Sequence, residues 1–295
     1  MFRSLIGLLL LASLSSPNMG AMDDATSSTF FNEADLLEIS PIPTLKDGAL
    51  EPDIKAKSAL IMDYNTGIIL YGKNVDAEVP MASLTKIMTA VLILENHSLS
   101  DVVTVPSGYN GLEGVRIWLK KGEQLTVSDL LKALLIPSAG DAALTLAEYD
   151  SGTVEEFVKK MNHRAKELNL IHTHFVNPIG LDAKGHYSSA SDLAVLTKYA
   201  LHFSAFRNIV RMASATITSV DGGTSHSLTS TNYLLNSYLD IEGVKTGTTD
   251  EAGESLINLA RGEKGQEVIA VLLDSPSRFQ ENKSMIDWAL RSYNW

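Results

Sequence analysis

The sequence predicts an α+β fold in which an antiparallel sheet is built from strands at both ends of the folded body. Residues 58–63 and 68–71 are apolar runs with β-branched side chains, and Tyr64-Asn65-Thr66-Gly67 between them is a hairpin signal with Gly where positive φ is needed. Strand-like runs return only late in the chain, at 215–220, 242–246, 255–260 and 267–273. Because the stretch between them is helical in pattern, strands that are distant in sequence must pair with one another.

Helical periodicity fills the middle of the chain and returns at its end. Apolar residues recur at helical spacing over 82–94, 127–136, 141–149, 154–168, 191–203 and 277–293. Asp141 and Ser191 are residue types that cap helix N-termini, and we expect each to begin its helix. The helices that lie between the strands predict a helical subdomain inserted into the sheet domain.

Residues 1–21 predict an export signal. Arg3 and the free amine give a positive start, and residues 5–14 form an apolar stretch of about ten residues. A bilayer span needs about 20 apolar residues, so this stretch suits a signal peptide better than an anchor. We expect cleavage near Ala21 or Ser15 and a mature protein outside the cytoplasm, in the periplasm, the cell wall or the medium. An uncleaved anchor or a buried helix is the alternative.

Residues 22–55 are acidic and show little periodicity. They hold eight acidic residues and two lysines, and so account for −6 of the net charge of −11. Such a composition predicts a mostly flexible tether. The folded domain is then expected to span residues 56–295.

The composition excludes several classes of function. The chain has 24 Lys and Arg against 35 Asp and Glu, and this acidic balance argues against a nucleic-acid partner. It has no Cys, which removes disulfides, thiolate zinc sites and cysteine nucleophiles. The hydrophobic fraction of 45% is ordinary for a globular protein.

Ser83-Leu84-Thr85-Lys86 opens the first predicted helix. A spacing of three places Ser83 and Lys86 one turn apart on the same face, so that the amine can reach the hydroxyl. A lysine that is desolvated near other cationic groups can lose its proton and act as a base for the serine. The helix N-terminus adds backbone N–H groups that favour a developing anion. Alone the motif is weak, because S-x-x-K strings arise by chance in a chain of this length.

Two further segments carry candidate residues. Lys245-Thr246-Gly247 follows a short apolar run, and a strand edge that presents Lys and Thr beside a closely approachable Gly suits the binding of an extended carboxylate. Ser138 lies in a loop between two predicted helices, where its hydroxyl could relay protons between Lys86 and a leaving group. An ordinary turn serine is the competing interpretation.

The order S-x-x-K, serine loop, K-T-G resembles that of the D-alanyl-D-alanine carboxypeptidases among the low-molecular-weight penicillin-binding proteins. The resemblance runs from about residue 56 to residue 295. It extends to segments beyond the three motifs, namely 62–67, 80–83, 175–182, 230–235, 243–247 and 251–253. It implies the serine transpeptidase/β-lactamase-like fold, an antiparallel sheet flanked by helices with an inserted helical subdomain.

The resemblance implies that this domain removes the terminal D-alanine of peptidoglycan pentapeptides. Ser83 would attack the peptide carbonyl and become acylated, while Lys86 takes its proton. Ser138 would help to pass that proton to the departing D-alanine. Water would then hydrolyse the acyl-enzyme, so no metal or organic cofactor is implied. Peptidoglycan stem peptides and β-lactam antibiotics are the implied partners.

The same resemblance assigns the substrate-binding residues. Lys245 and Thr246 would hold the terminal carboxylate, and Gly247 would let the substrate approach the backbone. The backbone N–H groups of Ser83 and Thr248 would form the oxyanion hole.

Gly140 departs from the family pattern, because the third position of the S-x-N motif normally carries an Asn. The amide that contacts the substrate is therefore missing. If Gly140 only weakens a substrate contact, Gly140→Asn should restore a hydrogen bond and raise kcat/KM by roughly threefold to tenfold. The loop must tolerate the change, and a positive φ at Gly140 would keep the strain of Asn small. The departure keeps open a degenerate member that binds peptidoglycan peptides with little turnover. Capture of a labelled penicillin without release of D-alanine would favour that alternative.

Two other interpretations have less support. A β-lactamase-type hydrolase would need a carboxylate for deacylation, usually in a Glu-x-x-Leu-Asn string, but Ala165 stands at that spacing before Leu168-Asn169. Alternating histidines on a strand share one face and can bind zinc. Structural histidines are commoner, so no metal is predicted for the best such cluster: His172, His174, Asp182 and His186.

Overall fold

The computed structural model describes residues 42–295, so the predicted signal peptide and the first part of the predicted tether lie outside the described residues. The strands are β1 (Thr44–Leu45), β2 (Ser58–Asp63), β3 (Ile69–Lys73), β4 (Val102–Thr104), β5 (Gln124–Thr126), β6 (Ser214–Thr218), β7 (Ser225–Thr229), β8 (Asp240–Thr249), β9 (Gly253–Arg261), β10 (Glu267–Ser275) and β11 (Tyr293–Asn294). The α-helices are α1 (Lys86–Asn96), α2 (Val127–Leu135), α3 (Gly140–Ser151), α4 (Val154–Glu167), α5 (Ala190–Ala200), α6 (Ser204–Val210) and α7 (Arg278–Ser292). Short 3₁₀ helices span Ala82–Thr85 and Tyr233–Asn236.

The central sheet has five antiparallel strands in the order β3-β2-β10-β9-β8. β2 pairs with β10 from Ser58↔Leu273 to Asp63↔Val268, so segments from the two ends of the folded domain lie side by side. The predicted hairpin is present, because β2 pairs with β3 and Gly67 in the connecting turn has a φ of 78°. The α+β class and the pairing of distant strands are confirmed.

Alternate residues of the central strands face two different hydrophobic cores. In β10, Ile269 and Val271 face the larger core, which contains the buried faces of α1–α6. Val268 and Ala270 face the smaller core, which α7 covers. A strand buried on both faces reads as a continuous apolar run, and this is the pattern that predicted β2, β9 and β10.

The strand predicted at 215–220 does not join the central sheet. It corresponds to β6, which pairs only with β7 in a separate two-stranded sheet. β7 was not predicted, because its only buried residues, His226 and Leu228, stand among three exposed polar ones. The three-residue strands β4 and β5 are too short to leave a pattern in the sequence.

The two predicted helix caps lie one or two residues away from the observed ones. Ser189, and not Ser191, caps α5 by accepting the N–H of Asp192 at 3.2 Å. Asp141 lies within the first turn of α3, while Ala139 holds the cap position. The helix predicted at 191–203 ends early, at Ala200, and the following helix α6 (Ser204–Val210) was not predicted. Within residues 42–295 no helix is long and apolar enough to cross a membrane.

Residues 44–55 are held against the end of the chain. β1 pairs with β11, the Nε1–H of Trp288 donates to the carbonyl of Leu50 at 2.6 Å, and Ile54 is buried. The prediction of a flexible tether through residue 55 is wrong for this part, because composition does not reveal pairing with a distant segment. The folded domain starts near Thr44 rather than at residue 56.

Candidate active site

Ser83 and Lys86 face each other where the 3₁₀ helix Ala82–Thr85 runs directly into α1. The Nζ of Lys86 lies 2.9 Å from the Oγ of Ser83. The same Nζ donates to the carbonyl oxygen of Ile179, which lies on a loop packed over the start of α1. The structure thus places both side chains on one face, one turn apart, as the motif spacing predicts.

The surroundings of Lys86 favour its neutral form. The side chain is buried, and burial lowers the pKa of Lys86 to about 7, although the Asp141 carboxylate acts in the opposite direction. The lowered pKa makes the neutral amine accessible near neutral pH. A neutral amine in contact with a serine hydroxyl can accept its proton.

The backbone just before Ser83 is strained. Ala82 has a φ of 48°, a left-handed conformation that costs a non-glycine residue about 1–3 kcal/mol. Two glycines make room for this turn. A Cβ on Gly180 would collide with the carbonyl of Ala82, and a Cβ on Gly247 would lie 3.2 Å from the backbone nitrogen of Ser83. Glycine at these two positions allows a loop and the edge of β8 to close around the nucleophile.

Ser138 is also buried in a left-handed backbone conformation, with a φ of 71°. It lies between α2 and α3, and α3 packs against α1, which carries Lys86. Its Oγ has no hydrogen-bond partner in the described part of the chain. An unpartnered buried hydroxyl calls for an explanation, and contact with a substrate or with a transferred proton supplies one.

Gly140 lies against a loop that fills the space beside it. Its N–H donates to the carbonyl of Val115 at 2.8 Å. The positive φ considered for Gly140 is not observed, and a Cβ there would lie 3.2 Å from Leu112 Cδ2 and 3.5 Å from the Val115 oxygen. Asp141 holds the same loop, because its carboxylate accepts the N–H of Leu119 at 3.1 Å. An Asn at position 140 would therefore enter space that this loop occupies.

Lys245 and Thr246 lie on β8, which forms one edge of the central sheet. The ammonium of Lys245 is buried and donates to the carbonyl of Thr246 at 3.0 Å. Burial, followed by the nearby charges of Lys86 and Arg278, holds the pKa of Lys245 well below its usual range. The Oγ1 of Thr246 lies 2.5 Å from the Oγ1 of Thr231. A bound anion next to Lys245 would stabilise its charged form and so raise its pKa again.

Arg278, at the start of α7, belongs to this site although no motif indicated it. Its Nη1 donates to the carbonyl of Gly247 at 2.9 Å and to the hydroxyl of Thr248. Thr231 was missed as well, since its contact with Thr246 spans a long stretch of sequence. Only the tertiary packing of α7 against the sheet brings the guanidinium to β8.

The histidines weighed as metal ligands have other contacts. Their nearest polar partners are Glu78 for His172, the carbonyl of Gly185 for His174, and Thr85 for His186. Among residues 42–295 no three potential ligands are arranged to hold a metal ion.

A serine–lysine pair on an α+β domain, with Lys-Thr-Gly on an edge strand, defines the class of penicillin-binding serine peptidases. The chain belongs to peptidase family S11, the D-alanyl-D-alanine carboxypeptidases, whose family model matches residues 46–277. The resemblance identified from the motifs is confirmed.

Two curated relatives show the extent of the similarity. The chain is 38% identical over 250 residues to D-alanyl-D-alanine carboxypeptidase DacF of Bacillus subtilis, a match that covers 81% of this chain and 63% of that protein. It is 34% identical over 257 residues to D-alanyl-D-alanine carboxypeptidase DacC of Escherichia coli, covering 82% and 63% respectively. The chain therefore spans just under two thirds of the length of these relatives.

Solved structures show the same fold. Penicillin binding protein 5 from Haemophilus influenzae superposes with a TM-score of 0.75 at 30% identity, covering 82% of this chain and 72% of that chain. The Streptomyces K15 DD-transpeptidase superposes with a TM-score of 0.75 at 31% identity, covering 81% of this chain and 98% of that chain. The predicted serine transpeptidase-like fold is confirmed.

Proposed function

We propose that this protein is a serine-type D-alanyl-D-alanine carboxypeptidase that removes the terminal D-alanine of peptidoglycan stem pentapeptides. Its family membership supports the reaction class. The observation that carries the proposal is the 2.9 Å contact between Ser83 Oγ and Lys86 Nζ, and the burial of Lys86, which lowers its pKa, agrees with it. A serine beside a neutral amine is an activated nucleophile.

In the proposed acylation, neutral Lys86 takes the proton of Ser83 while the Oγ attacks the carbonyl carbon of the penultimate D-alanine. The N–H groups of Ser83 and Thr248 stabilise the resulting oxyanion, and one such donor is worth about 2.7–4 kcal/mol of barrier. The C–N bond then breaks, and Ser138 passes the proton from Lys86 to the leaving amine. This half-reaction yields free D-alanine and an ester on Ser83.

In the proposed deacylation, water attacks the carbonyl carbon of that ester. Lys86 is again neutral at this stage and can accept the proton of the water. The shortened peptide leaves and Ser83 regains its proton. All transferred atoms come from the peptide and from water, so the reaction as proposed uses no cofactor.

The substrate C-terminus is proposed to bind along β8. An edge strand can pair with an extended peptide, and Gly247 allows close approach of the backbone. Lys245 and Thr246 would meet the terminal carboxylate. Arg278 lies beside Gly247 and can add a charged hydrogen bond, which is stronger than a neutral one.

The partners of the site follow from the same geometry. A β-lactam that acylates Ser83 would occupy the place of the stem peptide and block the enzyme. The predicted signal peptide supports a location outside the cytoplasm, where peptidoglycan stem peptides are found. A periplasmic, wall-associated or secreted protein is consistent with that proposal.

A binding module with little turnover is the second candidate, and Gly140 favours it. Gly140 has no side-chain amide to contact the substrate, and the loop that carries Leu112 and Val115 packs directly against it. Acylation without release of product would then be the behaviour of the wild-type protein.

Release of D-alanine from an acyl-D-Ala-D-Ala peptide tests the proposal, with Ser83→Ala as the comparison. We expect the wild type to release D-alanine and Ser83→Ala to lose both this activity and labelling by a fluorescent penicillin. The free energy of unfolding should change by no more than about 1 kcal/mol, because Lys86 keeps its contact with the Ile179 carbonyl.

The other outcomes are equally specific. Turnover in Ser83→Ala would refute Ser83 as the nucleophile. Penicillin labelling of a wild type that releases no D-alanine would support the binding module. Rapid hydrolysis of penicillin, with no D-alanine released, would support a β-lactamase-type hydrolase.

A further inference from the structure

Thr85 lies inside the S-x-x-K motif but points away from the reacting groups. The residue is fully buried, and its hydroxyl donates to the carbonyl oxygen of Ala82 at 2.7 Å. That carbonyl belongs to the peptide whose other end is the N–H of Ser83. Because a peptide unit is planar and turns as one body, holding the Ala82 oxygen also fixes the direction of the Ser83 N–H.

His186 holds Thr85 from the other side. Its Nε2 lies 2.8 Å from Thr85 Oγ1, and its Nδ1 accepts the N–H of Val176 at 3.0 Å. Since Nδ1 is the acceptor, the hydrogen-bond network assigns the proton of the neutral ring to Nε2. The donors therefore run in one direction, from His186 to Thr85 and from Thr85 to the carbonyl of Ala82.

This chain of hydrogen bonds ends at the strained point of the site. Ala82 has a left-handed backbone that a non-glycine residue adopts only where its surroundings hold it. Gly180 and Gly247 leave room for the turn and pack against it, but a glycine has no side chain that could form a hydrogen bond with it. The hydroxyl of Thr85 gives the carbonyl of Ala82 a directional side-chain contact, in addition to the backbone hydrogen bonds of the 3₁₀ helix.

His186 also connects the turn at Ala82–Ser83 to the loop segment 176–179, which orients Lys86. The segment that begins at Val176 includes Ile179, whose carbonyl accepts a hydrogen bond from the Lys86 ammonium. The charged and titratable groups that act on His186 are His174, Asp182 and Lys86. Burial is the largest effect and lowers the pKa of His186 to about 4, so the ring stays neutral near neutral pH.

We propose that Thr85 and His186 are positioning residues for acylation: they hold the Ala82–Ser83 peptide so that the Ser83 hydroxyl and N–H meet the carbonyl under attack. This inference rests on the proposed function for its reaction, but it concerns acylation alone. It makes no demand on the fate of the acyl-enzyme.

The test compares Thr85→Val, which keeps the shape and removes the hydroxyl, with Thr85→Ser, which keeps the hydroxyl. The measurement is the second-order rate constant for acylation by a fluorescent penicillin, normalised to the fraction of protein that is finally labelled. We expect Thr85→Val to lower this constant by about 10- to 100-fold, because the donor is misplaced rather than removed, and outright removal of one oxyanion donor costs about 100- to 1000-fold. Thr85→Ser should stay within about threefold of the wild type.

Thr197→Val is the matched control. Thr197 is also fully buried on a helix, but its hydroxyl has no hydrogen-bond partner in the described part of the chain. Removing that hydroxyl should leave the acylation constant within about twofold of the wild type. An equal loss in Thr85→Val and Thr197→Val would overturn the proposal, because it would show a general packing effect.

Two further readouts separate positioning from other roles. The pH at which acylation is half-maximal should be the same in Thr85→Val and the wild type, since Lys86 remains the base; a shifted limb would overturn the proposal. His186→Leu should lower the acylation constant as Thr85→Val does, and the double variant should lose little more than either single variant. Fully additive losses would mean that the two residues act separately.

The acylation readout keeps this inference distinct from the proposed carboxypeptidase activity. If the wild type is acylated but releases no D-alanine, the proposed function fails while the comparison of Thr85 variants still decides the positioning role. If Thr85→Val is acylated at the wild-type rate, the positioning role fails while the proposed function stands.

Discussion

Lys86 shows how one residue type serves chemistry only in a particular environment. Burial lowers its pKa to about 7. We predict that acylation by penicillin rises with pH along a limb centred near pH 7 and levels off above it, because only the neutral amine accepts the serine proton. Acylation rate constants measured from about pH 5 to about pH 9 check this prediction, since that interval brackets the limb.

Lys86→Arg is the control for that pH profile. A guanidinium remains charged at every accessible pH, so this variant should not be acylated anywhere in the range. A wild-type acylation rate that is still rising steeply at about pH 9, as expected for the ordinary lysine pKa of about 10.4, would show that burial does not act on Lys86 as the structure indicates.

The surroundings of Gly140 lead to a different prediction from the one drawn from the sequence. The family pattern suggested that Gly140→Asn would restore a contact and raise activity. The structure instead places Leu112 Cδ2 at 3.2 Å from a Cβ at this position. We predict that Gly140→Asn slows acylation by roughly threefold to tenfold, because overpacking of about 1 kcal/mol displaces the loop.

Leu112→Ala in the Gly140→Asn background provides the check on that cause. Removing the Leu112 side chain opens the space that the new amide needs. The double variant should therefore be acylated faster than Gly140→Asn alone. A faster reaction already in the single variant would mean that the loop yields and that the missing amide limits the wild type.

At the scale of elements, the site depends on the packing of α7 against the sheet. Arg278 begins α7 and donates to the carbonyl of Gly247 on β8. We predict that Arg278→Ala raises KM for a peptide with a free terminal carboxylate by at least about tenfold, since a charged hydrogen bond contributes about 1.5–3 kcal/mol. The kinetics of D-alanine release across peptide concentrations measure this effect.

Arg291→Ala is the matched control on the same helix. Its side chain is exposed and pairs with Asp287 rather than with the site. KM should be unchanged in this variant. An equal rise of KM for a peptide whose terminal carboxylate is replaced by an amide would show that Arg278 supports the strand and does not contact the carboxylate.

The elements and residues that could be predicted are those whose contacts lie within a short stretch of sequence or that leave an apolar pattern in it. Ser83 and Lys86 lie one turn apart, so their spacing alone predicts the contact. The central strands were predictable because a strand buried on both faces is a continuous apolar run in the sequence. Arg278 and Thr231 had no such signal, because their contacts with β8 arise only after folding. β7 stayed hidden because it is polar and half exposed.

At the scale of the whole molecule, residues 44–55 complete the folded domain. Ile54 is buried in the core that α7 covers, and the carbonyl of Leu50 accepts the indole N–H of Trp288. We predict that a chain that starts at residue 56 is less stable than one that starts at residue 42 by about 2–4 kcal/mol, from one buried Ile and one hydrogen bond. Urea denaturation of both chains measures the difference.

Leu50→Ala in the longer chain controls for side-chain effects in this segment. The Leu50 side chain is 86% exposed, and only its backbone carbonyl makes the contact with Trp288. This variant should unfold at the same urea concentration as its parent. Equal free energies of unfolding for the two chains would show that residues 44–55 do not contribute to the stability of the domain.

The pairing of β2 with β10 sets the order of events during synthesis. Asp63 meets Val268 across the sheet, so the strand that precedes the nucleophile turn waits for a partner made more than 200 residues later. Pairing over such a sequence distance is slow to form, because the chain must first close a very long loop. A nascent chain therefore remains without its central sheet, and without a working nucleophile, until translation is nearly finished. For a protein that carries the predicted export signal, this delay keeps the central sheet incomplete while the chain is being passed across a membrane.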